Sequence, residues 1–313
     1  MENKQLCDAV LSEYQVRKSG RQKRRFAGFV QEQCERLGLP FSVEEKKGLI
    51  RNRNIVVGDV NKARIILTAH YDTCAWMPIP NFGTPKNPFI FILYQLLVVG
   101  LIWIISLGIA GLFNLFIDRE YYELIANLAF LLILLQIAFG FPNKHTANDN
   151  TSGVATLLCL MQTISTADRD KVAFVFFDNE EVGLVGSSAF KKRHRKEIAG
   201  KLLINFDCVS DGDHFLFVSK KQAVKSDEYP LLKSILEEEA PVFNKKAEFA
   251  KAWRAFFPSD QLIYPQSIGV VALKKMPVLG LYLDRIHTSF DTRFDNDNLA
   301  FLSHSFAKFI SQI

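Results

Sequence analysis

The chain has 313 residues, a formal net charge of +5 and 49% hydrophobic residues. So mild a charge does not require nucleic acid as a partner, and the length suits one α/β domain carrying an insertion. Five cysteines (Cys7, Cys34, Cys74, Cys159, Cys208), odd in number and without CxxC spacing, argue against a disulfide framework or an all-thiolate zinc site and for reduced, buried thiols facing the cytosol.

The opening MENKQLCDAVLSEY is polar and acidic and lacks the apolar core of a signal peptide. Helices are predicted over 4–16 and 22–36, the second closed by Gly38 and Pro40. The basic run between them, Arg17 to Arg25, suits either anionic lipid or a solvated helix face. Strands follow at 53–58 and 63–70, then a linker, 73–87, with three prolines and Trp76.

From Pro88 to Ile117 no residue is charged, nor from Leu124 to Asn143; DREYYE, 118–123, lies between. Each run reaches the roughly 20 apolar residues that a membrane span needs. Gly100, Gly108 and Gly111 suit close helix packing, and Trp103, Tyr121 and Tyr122 suit an interfacial belt. The expectation is a two-helix transmembrane hairpin; the alternative is a hydrophobic dimer interface. Lys86 and Lys144 flank it, whereas the turn carries Asp118, Glu120 and Glu123 against Arg119. That asymmetry puts the main body in the cytoplasm, on a cell membrane crossed twice.

Beyond the hairpin a helix is predicted over 154–164, strands over 171–177, 202–210 and 214–219, a helix over 229–240, strands over 267–273 and 278–284, and a closing helix over 297–313. The alternation implies an α/β fold with a mostly parallel central sheet and helices on both faces. The hairpin divides it: 1–84 and 145–313 form the catalytic domain, and 85–144 is the insertion.

Ligands in open α/β sheets gather at the carboxyl ends of strands. Seven ionisable residues fall there or just beyond: His70 and Asp72 after ARIILTAH, Asp149 before a helix, Glu180 and Glu181 after KVAFVFF, Asp207 in LLINFDCVS, and His287 after VLGLYLD. Adjacent Glu180 and Glu181 repel unless a cation or shared proton intervenes. Singly each has a plain explanation, such as a helix cap or a satisfied core histidine. Together they make a cation site of nitrogen and oxygen ligands.

The segments TAHYDT (68–73), NDNTSGVA (148–155), FFDNEEVGLVGS (176–187), NFD (205–207), PSDQLIY (258–264) and HTSFDT (287–292) resemble, in order, those of the co-catalytic di-zinc aminopeptidases, a group that includes glutamate carboxypeptidase and the glutaminyl cyclases. The resemblance runs from about residue 20 to the end, apart from the hairpin. It implies two Zn2+ per chain. Asp149 would bridge them, His70 and Asp207 completing one site, Glu181 and His287 the other. Glu180 would be the catalytic base, taking a proton from the attacking water and passing it to the leaving amine. Asp72, two residues from His70, is expected to accept the imidazole's other N–H. A cis bond between Asp149 and Asn150 is also implied, and Asp291 would orient the His287 loop. Gln261 stands where the group often has histidine. Tyr264 and Tyr282 are candidates for an oxyanion-stabilising tyrosine. His145, His194, His214 and His304 lie outside the motifs.

The expected function is a membrane-anchored zinc aminopeptidase acting on peptides beside the bilayer. The alternatives are a single-zinc acyl transferase of the glutaminyl cyclase type and a non-catalytic membrane scaffold on the same fold.

Overall fold

A computed structural model describes residues 3–48 and 50–313. Strands β1 (Phe41–Lys46), β2 (Asn52–Val57), β3 (Ile65–His70), β4 (Val172–Phe177), β5 (Leu202–Phe206), β6 (His214–Ser219), β7 (Lys246–Lys251), β8 (Ser267–Met276) and β9 (Gly280–Tyr282) form one sheet. Its order is β1-β2-β4-β3-β5-β8-β6-β7, with β9 beside β8. β3, β4 and β5 are buried along their whole length. Strands covered on both faces are the kind that pair in parallel, and β4, β3, β5 and β8 do so. Their carboxyl ends therefore share one rim.

The flanks depart from the expected parallel order: β1–β2, β2–β4, β6–β8 and β8–β9 are antiparallel. Short connections explain most of this. The β1–β2 and β8–β9 connections are of hairpin length, and 207–213 are too few for the dozen or so residues of a parallel crossover. β1 and β7 are strands that sequence patterning does not predict. Both are polar edge strands, FSVEEK and KAEFAK, carrying charge in place of a clear apolar alternation.

Helices α1 (Asn3–Glu13), α2 (Gly20–Leu37), α5 (Gly153–Thr163), α7 (Glu228–Val242) and α8 (Asn296–Gln312) share a core with one face of the sheet, whereas α6 (Val185–Arg193) lies on the other. Alternate residues of β3 serve the two: Ile65, Leu67 and Ala69 join the first core and Ile66 the second. α2 opens on a capping box at Ser19 and closes at Gly38, whose φ of +66° suits a residue without Cβ.

The remaining helices, α3 (Pro88–Phe113) and α4 (Tyr122–Phe139), form the hairpin between β3 and α5. Both are long and apolar enough to cross a membrane by length and composition, and only 17% and 11% of their apolar stretches are buried. Their seam differs from expectation. Ile102, Ser106 and Ala110 of α3 and Ala126 and Ala129 of α4 are the buried positions, with Trp103 edge-on to Phe130. A Cβ at Gly100, Gly108 or Gly111 would meet nothing within 4 Å, so these glycines do not serve the packing.

The hairpin's feet are tied to the domain. Trp76 N donates to Phe141 O (2.8 Å), Asn143 N to Cys74 O (3.2 Å) and Phe256 N to Pro85 O (2.8 Å), while Lys86 pairs with Glu248.

Candidate metal centre

β3 delivers His70 to the rim, fully buried. Its Nδ1 lies 3.2 Å from Asp72 O and 3.7 Å from Asp72 Oδ1. Donation from that nitrogen leaves Nε2 as the free donor atom, and Nε2 faces Asp149 Oδ1 (3.3 Å) and Asp207 Oδ1 (3.5 Å). The imidazole is thus held by the Asp72 carbonyl, not by the carboxylate that the sequence suggests, and the carboxylate has a task that the sequence does not announce. Its oxygens accept the backbone N–H groups of Glu180 (3.0 Å) and Glu181 (3.3 Å), pinning the turn that carries both glutamates.

The peptide bond from Asp149 to Asn150 is cis. The flanking asparagines hold the neighbouring loop. Asn148 Oδ1 accepts from Ser210 N and Asp211 N (2.8 and 3.2 Å); Asn150 Nδ2 donates to Phe206 O (2.9 Å) and its Oδ1 accepts from Cys208 N (3.3 Å). Asp207 is thus placed by side chains on either side of Asp149. A Cβ at Gly153 would lie 2.4 Å from Phe206 O, which explains the glycine in NDNTSG. Asp291, expected to orient the His287 loop, instead holds the Asp149 loop, its oxygens accepting from Asn148 N (2.8 Å) and Asp149 N (3.0 Å). Burial, then the Asp149 charge, pushes its carboxyl up to about 8.

On its far side Asp149 turns Oδ2 toward His287 Nε2 (3.1 Å), which also lies 3.4 Å from Glu181 Oε2. His287 adopts φ +67°, a conformation unusual for a residue with a Cβ, and its carbonyl accepts Met77 N (2.8 Å). One carboxylate therefore faces two donor pairs, His70 with Asp207 and His287 with Glu181.

Burial alone would lower the His70 imidazolium, but Asp149, Asp207 and Asp72 together hold it well above its ordinary value. Burial raises the Asp149 carboxyl, yet His287 and His70 bring it well below the usual range. Burial first, then Glu181, raises Glu180; burial, then Asp149, raises Glu181. Glu181 Oε1 and Asp207 Oδ1 are buried without a hydrogen-bond partner among the described residues. Unpaired buried anionic oxygens are costly. With two imidazoles and a shared aspartate they form a donor set suited to zinc. The residues fit the metal.

All seven predicted residues converge. His70, Asp149, Glu180, Glu181, Asp207 and His287 line one cavity of about 340 Å³, and Asp72 sits behind them. Phe91, Phe256, Phe257, Leu262, Leu283 and Ile286 make its apolar wall. Neither tyrosine candidate lines it: Tyr264 OH donates to Ser187 O in the core and Tyr282 packs on Phe82. Gln261 is buried behind the cavity, bonded to Phe257 O and Asn205.

The basic run beginning at Arg17 is not uniformly a lipid-facing or solvated surface. Arg17 is wholly buried and donates to Tyr71 O (2.5 Å) and Thr151 Oγ1 (3.1 Å), between the segments bearing Asp72 and Asp149. Burial brings its guanidinium down to about 10, with Asp72 and Asp149 opposing the fall. Lys23 pairs with Asp178 at 2.5 Å. Arg21, Arg24 and Arg25 remain exposed. Of the histidines outside the motifs, His194, His214 and His304 pair with Glu44, Asp213 and Glu239, away from the cavity.

A profile of peptidase family M28 matches residues 137–308. No curated protein sequence matches the chain. Among solved structures, a Zn-dependent exopeptidase from Parabacteroides distasonis superposes with a TM-score of 0.61 at 15% identity, covering 99% of this chain and 97% of that one. A leucine aminopeptidase precursor from Bacteroides thetaiotaomicron gives 0.58 at 15%, covering 99% and 94%. A glutaminyl cyclase from Porphyromonas gingivalis gives 0.58 at 14%, covering 99% and 95%. At such identities the likeness concerns the fold: a mixed, mostly parallel sheet with flanking helices. The profile spans more than half the sequence and includes four of the five candidate ligands. The chain belongs to peptidase family M28.

Proposed function

We propose that the protein is a membrane-anchored aminopeptidase that removes N-terminal residues from peptides, using two zinc ions held by His70, Asp149, Asp207, Glu181 and His287. One observation carries this: the two oxygens of Asp149 face two separate donor pairs at 3.1–3.5 Å spacings. When bound, zinc supplies Lewis acidity toward the scissile carbonyl and makes water acidic near neutral pH.

The chain's own residues do the rest. Glu180 lines the cavity beside the donors but belongs to neither pair facing Asp149. As general base it takes a proton from the attacking water and hands it to the departing amine, so that it ends each turnover as it began. The Asp72 carboxylate positions it through the Glu180 N–H, and the Asp72 backbone carbonyl holds His70 by Nδ1. The apolar wall excludes water and favours an uncharged side chain beside the cleaved bond.

The hairpin is read as spanning the bilayer with the catalytic body on the cytoplasmic side, supported by its exposed apolar length and by Lys86 and Lys144 at its feet. Phe91, in the first turn of α3, belongs to the cavity wall. Membrane-associated or apolar peptides are therefore the favoured substrates. Equal turnover of polar and lipid-partitioned peptides by protein in bilayers would contradict that preference.

The test of mechanism is Glu180→Gln: two zinc ions retained and hydrolysis lost. Full activity in that variant would remove Glu180 from the reaction. The shared fold of the glutaminyl cyclases supports a second reading, a single-zinc acyl transferase. Zinc content separates the two: two ions with peptide hydrolysis, or one with none.

A further inference from the structure

The five ligands leave one donor at the rim without a task. Cys74 is buried, and its Sγ, a Glu181 carboxylate oxygen and a His287 ring nitrogen all lie within 4.8 Å of one another. Glu181, with a side chain only 7% exposed, turns Oε2 to His287 and leaves Oε1 buried without a hydrogen-bond partner among the described residues. Around Cys74 Sγ the hydrogen bonding is weak, a 3.9 Å contact from Asn143 Nδ2.

The thiol's place is set by backbone. Asn143 N donates to Cys74 O (3.2 Å), Asn143 Nδ2 donates to Thr288 O (2.8 Å), and Met77 N donates to His287 O (2.8 Å). The linker bearing Cys74 and the loop bearing His287 are thus laced together on both sides of the thiol. Absence of CxxC spacing excludes an all-thiolate site, but it does not bear on a single sulfur within a mixed set.

We propose that Cys74 is a fourth protein donor, as thiolate, to the ion held by Asp149, Glu181 and His287. This rests on the two-ion reading above. Binding replaces the S–H bond with a sulfur–metal bond and releases one proton to solvent. Four protein donors close a tetrahedral zinc, whereas three leave a position open. The ion on the Glu181 side is then resident, and the ion of His70, Asp207 and Asp149 keeps the open position and exchanges first. Thiolate also biases the closed side toward zinc over manganese or magnesium.

The direct test is zinc-edge X-ray absorption on the full chain loaded with two equivalents of zinc. One sulfur per two zinc ions at about 2.3 Å is expected, against about 2.0–2.2 Å for nitrogen and oxygen. Cys74→Ser removes that sulfur, and Cys208→Ser, altering a thiol that lines the cavity, leaves it. Cobalt-loaded protein gives a second readout, a thiolate-to-metal charge-transfer band that disappears only in Cys74→Ser. Under chelator the wild-type protein loses one ion quickly and one slowly. Because loss of even an outer partner of a metal ligand costs about 10–100-fold in affinity, Cys74→Ser should accelerate the slow phase at least that much. Two bound zinc ions without sulfur, or sulfur that survives Cys74→Ser, overturns the thiolate while sparing the two-ion reading. Failure of the wild-type chain to hold zinc overturns both. Should Cys74→Ser not fold, the wild-type sulfur signal and its persistence in Cys208→Ser still decide.

Discussion

Fifteen residues separate Asp72 from the start of α3, and nine separate the end of α4 from Asp149, yet hairpin and rim are chemically opposite. From Pro88 to Phe139 the charged residues are confined to the turn at 118–123, and most large apolar side chains point away from protein. At the rim, seven ionisable residues are brought together largely out of solvent, and the loops that carry them are fixed by backbone amides, two accepted by the side chain of Asp72, two by Asp291 and two by Asn148. The contrast teaches that the hairpin's character resides in composition and tolerates local change, whereas the rim's character resides in placement. A single carboxylate there controls several others.

Removing the shared carboxylate breaks that contrast most severely. Asp149→Asn should take zinc content from two per chain toward zero and activity to background, measured by metal analysis beside peptide hydrolysis. Glu180→Gln should keep the metal and lower kcat by about 10²–10⁴-fold, the usual worth of a positioned acid–base group. In the hairpin, Leu101→Arg places a charge near the middle of α3 and should cost insertion about 3–4 kcal/mol, read as the membrane-integrated fraction. If α3 were only a solvated helix, such a surface change would shift stability by no more than about 0.5 kcal/mol. Asp72→Asn should weaken zinc binding or activity by about 10–100-fold, the smaller effect of a residue that acts through others. The smallest effect concerns pH. Burial, with Glu181 beside Glu180 and Asp149 beside Glu181, holds both carboxyls well above the ordinary glutamate value. Zinc entering depleted protein must displace the proton of its ligand Glu181, so the apparent affinity rises with pH. Calorimetry in buffers of different ionisation heat should register proton release; proton uptake would contradict the sign.

Much of this was readable beforehand, for different reasons in different places. The buried parallel strands announce themselves as VAFVFF and IILTAH because both faces are covered. β1 and β7 did not, since edge strands carry charge and resemble loops. The seven rim residues were legible only jointly, through recurrence at successive strand ends. Arg17 escaped because a basic run normally lies in solvent, and nothing local shows that one guanidinium turns inward to tie Tyr71 and Thr151 together. Asp291 lies four residues from His287 in sequence, but the partners of its carboxylate in space are Asn148 and Asp149. Spacing says which residues are near along the chain, and only the sheet order says which loops meet. The hairpin glycines mislead in the opposite way, a packing motif that fits the expectation but faces open space.

The central claim is that Asp149 joins two ions, and zinc-edge anomalous diffraction from crystals grown with zinc tests it most directly. Two peaks about 3.5–4 Å apart, one on the His70–Asp207 side of that carboxylate and one on the Glu181–His287 side, are expected. A single peak, or none with those side chains turned apart, would contradict it.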